Sequence, residues 1–148
     1  MSLRFNYREV NAPAFRAMMA LEQHSAGRTK DKLLAELIKI RVSQLNGCAF
    51  CLDMHARDLL KLGDYHDKLV LVSVWREAPI FTAEERAVLE LAEAVTFISQ
   101  DGVPQAVYEQ VREFFSEEEV VDLLMSIITI NGWNRIAIST GMYPGVAL

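Results

Sequence analysis

The feature that most constrains this chain is the break at Asn46-Gly47 and the run that follows it, Cys48-Ala49-Phe50-Cys51-Leu52-Asp53-Met54-His55. Asn and Gly tolerate the left-handed backbone that closes many helices, and both serve as N-caps. The spacing predicts one helix ending at the break and another opening at or near Cys48. The second runs to Leu62, where Gly63 ends it and Lys61 places a cation in the last turn. The segments Lys30–Leu45 and Cys48–Leu62 then form an αα-hairpin with both cysteines of the chain at its bend.

That placement has chemical consequences. Cys48 and Cys51 are three residues apart, and Cys51 and His55 four, so the three side chains share one helix face. Both sulfurs fall in the first turn, where free N–H groups and the helix dipole lower a thiol pKa. His55, one turn on, is placed to take up or relay a proton from Cys51. A three-residue separation also permits a disulfide, so the pattern reads as a reversible dithiol with a base beside it.

Other readings fit less well. A buried cysteine is often only a small hydrophobe, but two at this spacing with a histidine on the same face suggest more. Zinc wants about four ligands, and His24 and His66 stand isolated. Covalent haem attachment wants a histidine directly after the second cysteine, where Leu52 stands, and a thioredoxin motif belongs beside a βαβ pattern. A structural disulfide gains little by closing so short a loop. Redox catalysis remains the leading reading, with no cofactor and no metal expected.

The 148 residues suggest one domain, 1–148, with a real core. A net charge of −5 argues against nucleic acid or an anionic membrane as partner. Met1 to Asn6 lacks the apolar core of a signal peptide. The most apolar run, Val120 to Ile130, is broken by Asp122 and is too short to span a bilayer. A cytoplasmic protein is expected, and there a cysteine pair is more often catalytic or metal-binding than a permanent bridge.

Helical periodicity continues on both sides of the motif. Asn11-Ala12-Pro13 opens a helix with Phe15, Met18, Met19 and Leu21 on its stripe, ending at His24–Gly27. Thr29 or Asp31 caps the next, lined by Leu33, Leu37 and Ile40. Glu36 lies within that apolar stretch and could reach His55 once the hairpin closes. Asp64 is expected to cap a helix through Trp75, stopped by Ala78-Pro79. Thr82 with Glu85, and Ser116 with Glu119, are capping boxes. Glu84, Glu85, Glu90 and Glu93 read as a solvated face. The last helix, from Glu117 towards Ser139, is apolar around most of its circumference and should be central or at a subunit contact. Its Asn131 to Arg135 stretch holds two amides and an arginine that need partners. A subunit interface is favoured there over the active site or the helix end. About seven helical segments and no period-two strand predict an all-α fold.

These residues together resemble a known family. Glu36, the run Ser43-Gln44-Leu45-Asn46-Gly47-Cys48-Ala49-Phe50-Cys51, His55 and Gly63 look like the core of the AhpD-like alkylhydroperoxidases in the carboxymuconolactone decarboxylase family. Trp75-Arg76-Glu77, Phe81 to Ala87 and Asn131 to Arg135 extend the resemblance over nearly the whole chain. It implies an all-helical fold in trimers or hexamers and peroxidase activity through the cysteine pair. Cys51 matches the peroxidatic nucleophile and Cys48 the more accessible resolving cysteine. His55 and Glu36 match a proton relay. Its partners would be a hydroperoxide substrate and a dithiol or thiol-protein reductant. Phe50 departs from the pattern, because some AhpD proteins carry a second histidine there. Decarboxylase members generally lack the cysteine pair. A non-redox lyase using His55 and Glu36, and a redox-sensing binding protein, are the alternatives.

Overall fold

Helix α3, Lys32–Asn46, is the element on which the others are stacked. Leu34, Leu37, Ile38, Ile40 and Val42 are all buried, so α3 has core on two sides. One side joins Leu34, Ile38 and Val42 to Val88 and Leu91 of α6 (Ala83–Thr96), Val111 of α8 (Gln105–Arg112) and Leu123, Ile127 and Ile130 of α9 (Glu117–Thr140). The other joins Leu37 and Ile40 to Leu59 of α4 (Ala49–Leu62) and to Val72, Trp75 and Phe81. Fully burying one such aliphatic side chain is worth roughly 1.5–3 kcal/mol. Both cysteines belong to the first cluster, so the motif is set into the core.

The computed structural model describes residues 2–29 and 31–147, and among them shows nine α-helices, one 3-10 turn and no strand. Lys30, where the sequence reading began the second helix, and the terminal residues 1 and 148 lie outside the described residues. The all-α, single-domain bundle agrees with expectation, but the count exceeds about seven. The additions are α1, Tyr7–Val10, and α7, Ile98–Asp101, each of four residues. A single turn is too short to show a hydrophobic period. No helix among the described residues is long and apolar enough to cross a membrane.

Local chemistry explains most boundaries. Asn11 caps α2 (Ala12–Arg28), Asp31 caps α3, and both capping boxes form as read from the sequence. Helix α2 runs past Gly27 to Arg28, closed by the Thr29 amide on the Ser25 carbonyl. Asp64 does not cap the next helix. That helix, α5, covers only His66–Leu71, lacks a side-chain cap and passes into the 3-10 turn Val72–Val74. Leu62, the last residue of α4, is exposed.

The glutamates of α6 do not form one solvated face. Glu85 is buried against Lys68, and Glu93 accepts from Arg41, Trp75 and Arg76. On α9, Val120, Leu123, Ile127 and Ile130 turn inward, whereas Val121, Ile128 and Ile138 are exposed.

Candidate active site

The site begins with the joint between α3 and α4. Gly47 is left-handed, φ 70°. Its amide bonds the Gln44 carbonyl (3.2 Å) and the Cys48 amide bonds the Ser43 carbonyl (2.9 Å). These are the paired bonds of a Schellman ending, which a β-carbon at Gly47 would strain. Cys48 is itself the N-cap of α4, its Sγ accepting from the Cys51 amide at 3.4 Å. Cys51 and His55 follow on the same helix face, both buried.

The two Sγ atoms lie 2.6 Å apart and share a hydrogen bond. Their acidities diverge. Cys48 is lowered from 9.0 to about 7, mainly because the Cys51 thiol donates to it, against the cost of burial. The Cys51 amide and Asn134 add to the lowering. Cys51 is pushed well above the usual thiol range by the same shared bond, by burial and by the charge on Cys48. The sequence had both sulfurs lowered alike. Two charges cannot sit this close, so the first proton lost leaves the anion on Cys48 and the second is retained.

Glu36 of α3 reaches across to α4, its Oε2 2.9 Å from His55 Nδ1. With the carboxylate accepting from Nδ1–H, the neutral imidazole carries its lone pair on Nε2. Burial opposes charge on Glu36, but hydrogen bonding to His55 and the nearby Lys39 hold it below the ordinary carboxylate range. Lys39 Nζ lies 3.1 Å from Glu36 and 3.7 Å from Glu22. Glu22 in turn accepts from the Trp133 indole at 2.9 Å. Glu36, His55 and Asp58 place one possible metal ligand each within 4.8 Å of one another. They are the residues that could hold a cation, but Glu36 is already engaged by Lys39 and His55.

Cys51 and His55 line a cavity of about 290 Å³, walled by Tyr7, Phe15, Met19, Phe50, Met54, Trp133 and Met142. Cys48 is not in its wall. The expectation that Cys48 is the more accessible sulfur is not met: each cysteine is 2% exposed. The departing residue Phe50 supplies part of the apolar wall.

The sequence reading missed the amide clasp behind the thiols. Asn134 is fully buried, and its Nδ2 donates to Ser43 Oγ at 3.0 Å. Asn46 Nδ2 donates to the side-chain oxygens of Asn131 and Asn134, both at 3.0 Å. Asn131 also donates to Thr96, and Arg135 donates to Asn131. A subunit contact was the favoured reading for Asn131 to Arg135; within the chain, Asn131 and Asn134 bind the end of α3 to α9, and Asn134 brings an amide to both sulfurs. The signal was present as two amides in an otherwise apolar helix.

Residues 12–94 match the sequence pattern of the carboxymuconolactone decarboxylase family. The chain belongs to that family. It is 43% identical to the uncharacterized protein YdfG of Bacillus subtilis, over 95% of this chain and 96% of the relative. Its fold matches the crystal structure of ATU0492 of Agrobacterium tumefaciens, a protein of unknown function named after the antioxidant defence protein AhpD. There the TM-score is 0.94 and the identity 40%, over 98% of this chain and all of that one. An uncharacterized peroxidase-related protein from Silicibacter sp. TM1040 aligns with TM-score 0.80 and 29% identity, over 92% of this chain and 72% of that one. The family shares the AhpD-like bundle and a link to antioxidant chemistry, and this member carries the Cys48–Cys51 pair.

Proposed function

We propose that this protein is a thiol-dependent peroxidase, reducing organic hydroperoxides through Cys51 and Cys48 with His55 and Glu36 as proton relay. One observation carries the reading: Cys51 of the hydrogen-bonded cysteine pair and His55 of the His55–Glu36 pair both line a single, largely apolar cavity. The relatives named for AhpD and for peroxidases support it.

Cys51 is the attacking sulfur, since it faces the cavity and Cys48 does not. As the substrate binds, the retained proton of Cys51 crosses the shared bond to Cys48, so the pair's single negative charge moves onto Cys51. The Cys51 thiolate attacks the distal peroxide oxygen and the O–O bond breaks. The departing alkoxide takes up a proton relayed from Cys48 through His55 Nε2, with Glu36 stabilising the transient imidazolium, and leaves as an alcohol. Cys51 is now a sulfenic acid. The Cys48 thiolate attacks its sulfur and expels hydroxide, which is protonated to water. A disulfide results, and a dithiol or thiol protein reduces it by exchange. One hydroperoxide has become alcohol and water while two thiols were oxidised.

The test is steady-state hydroperoxide consumption with a small dithiol. Cys51→Ser abolishes turnover. Cys48→Ser stops recycling and leaves one round of sulfenate. Wild-type consumption by the double Cys→Ser variant would sink the reading and favour non-redox chemistry at His55 and Glu36. Homo-oligomerisation as trimers or hexamers belongs to the same reading. The exposed Val121, Ile128 and Ile138 of α9 are the apolar surface for it.

A further inference from the structure

We infer that the cavity over Cys51 selects hydroperoxides that bear a carboxylate, and that Arg8 is the residue that binds it. The hydroperoxide half of this statement rests on the peroxidase reading; the carboxylate half rests on the cavity alone.

The cavity holds about 290 Å³, at the small end of ligand sites, so it suits an aryl or short aliphatic body. Aromatic and methionine side chains supply seven of its fourteen lining residues, which favours a substrate with an apolar body. Besides His55, four of its lining residues carry charge: Arg8, Lys39, Glu22 and Asp58. Three already have partners of opposite sign. Lys39 lies between Glu36 and Glu22, and Asp58 accepts from Lys61 at 2.7 Å. Arg8 differs. Its guanidinium meets no carboxylate among the described residues and instead lies 5.3 Å from the Phe15 ring centre and 6.0 Å from that of Tyr7. The rings position the cation at the cavity rim while leaving its N–H fork open.

The backbone that presents Arg8 is tied down. The Arg4 amide bonds the Thr140 carbonyl at 2.9 Å, and the Arg4 guanidinium bonds the Ser139 carbonyl at 2.9 Å. Asn6 caps the turn that carries Arg8, and the Tyr7 ring packs edge-on against Phe15, centroids 5.8 Å apart. An unpaired guanidinium fork beside an apolar cavity matches a planar carboxylate, which it can take bidentately. The chain carries a net charge of −5, so an anion gains little attraction from the surface as a whole and depends on this one cation.

The experiment compares para-carboxy cumene hydroperoxide with cumene hydroperoxide as substrates, a small dithiol serving as reductant. In the wild type, kcat/KM is expected to favour the carboxylate by about fivefold, the scale of one rim ion pair. Arg8→Gln brings that ratio to about one, Arg8→Lys keeps part of it, and added salt erodes it. Equal kcat/KM in the wild type, or a preference that survives Arg8→Gln, overturns the inference. A second measurement needs no turnover. Calorimetry on the Cys51→Ser protein compares para-isopropylbenzoate with its neutral amide, and the benzoate should bind more tightly only while Arg8 is present. Arg8-dependent benzoate binding without peroxide turnover would remove the peroxidase reading and leave the carboxylate site standing. Equal turnover of both hydroperoxides would do the reverse.

Discussion

Glu36 and Glu93 are both carboxylates held below the ordinary range, and they do different things. Burial opposes the charge on each, and hydrogen bonds outweigh it. Glu93 accepts from Arg41 Nε at 2.7 Å, Trp75 Nε1 at 2.8 Å and Arg76 Nη1 at 2.7 Å. None of these donors gives up its proton near neutral pH, so the cluster is a fixed clamp joining α3, α6 and the turn at Trp75. Glu36 is bonded to a histidine, which can change protonation, and that histidine lines a cavity with a thiol. A depressed carboxylate therefore does not mark a reactive site. What marks one is a partner that can pass a proton on and space for a substrate beside it.

The largest effect should separate the two glutamates by activity. Glu36→Gln is expected to lower peroxide turnover about a hundredfold through loss of proton relay. Glu93→Gln should leave turnover within about twofold, since its partners take no part in proton transfer. Peroxide assays on both variants would erase the contrast if they fell together.

Stability should reverse the ranking. Glu93→Gln leaves Arg41 and Arg76 without their shared carboxylate, and urea unfolding should show a loss of about 1–3 kcal/mol. Glu36→Gln keeps a hydrogen-bond acceptor for His55 and should lose less.

A smaller effect is read at the sulfurs. Cys51→Ala removes the main cause of the Cys48 lowering, so thiolate absorbance should titrate above about 7 and towards 9.0. An unchanged midpoint would transfer the lowering to the helix N-terminus and Asn134.

The smallest effect is common to both carboxylates. Each has a folded pKa below the reference 4.5, so its stabilisation is complete above that value and is lost as pH falls through the lower folded one. Acid unfolding of Glu93→Gln should therefore show a shallower loss below pH 4.5 than the wild type. An identical slope would mean that Glu93 is no better stabilised in the folded chain than in the unfolded one.

Much of this was legible along the chain. The all-α class, the Asn46-Gly47 break, the Asn11 cap and both capping boxes follow from residues within about four positions of each other, where helix geometry alone sets the outcome. The reading failed where a segment was too short for a period, at α1 and α7. It failed again where a polar residue's partner lay far off in sequence, as with Glu85 and Glu93, and for the same reason it did not name the partners of the Asn131–Arg135 stretch.

What the sequence determined by itself is the chemistry available: two sulfurs and an imidazole on one helix face, at spacings that any α-helix would bring together. Only the tertiary structure decided how they are arranged. It paired Glu36 with His55 across 19 residues and set Asn134 on Ser43 across 91. It also placed the first negative charge on Cys48 and opened the cavity on Cys51. The reason is physical. Local hydrogen bonds recur in every helix, whereas burial, charge partners and empty space exist only once distant helices have packed.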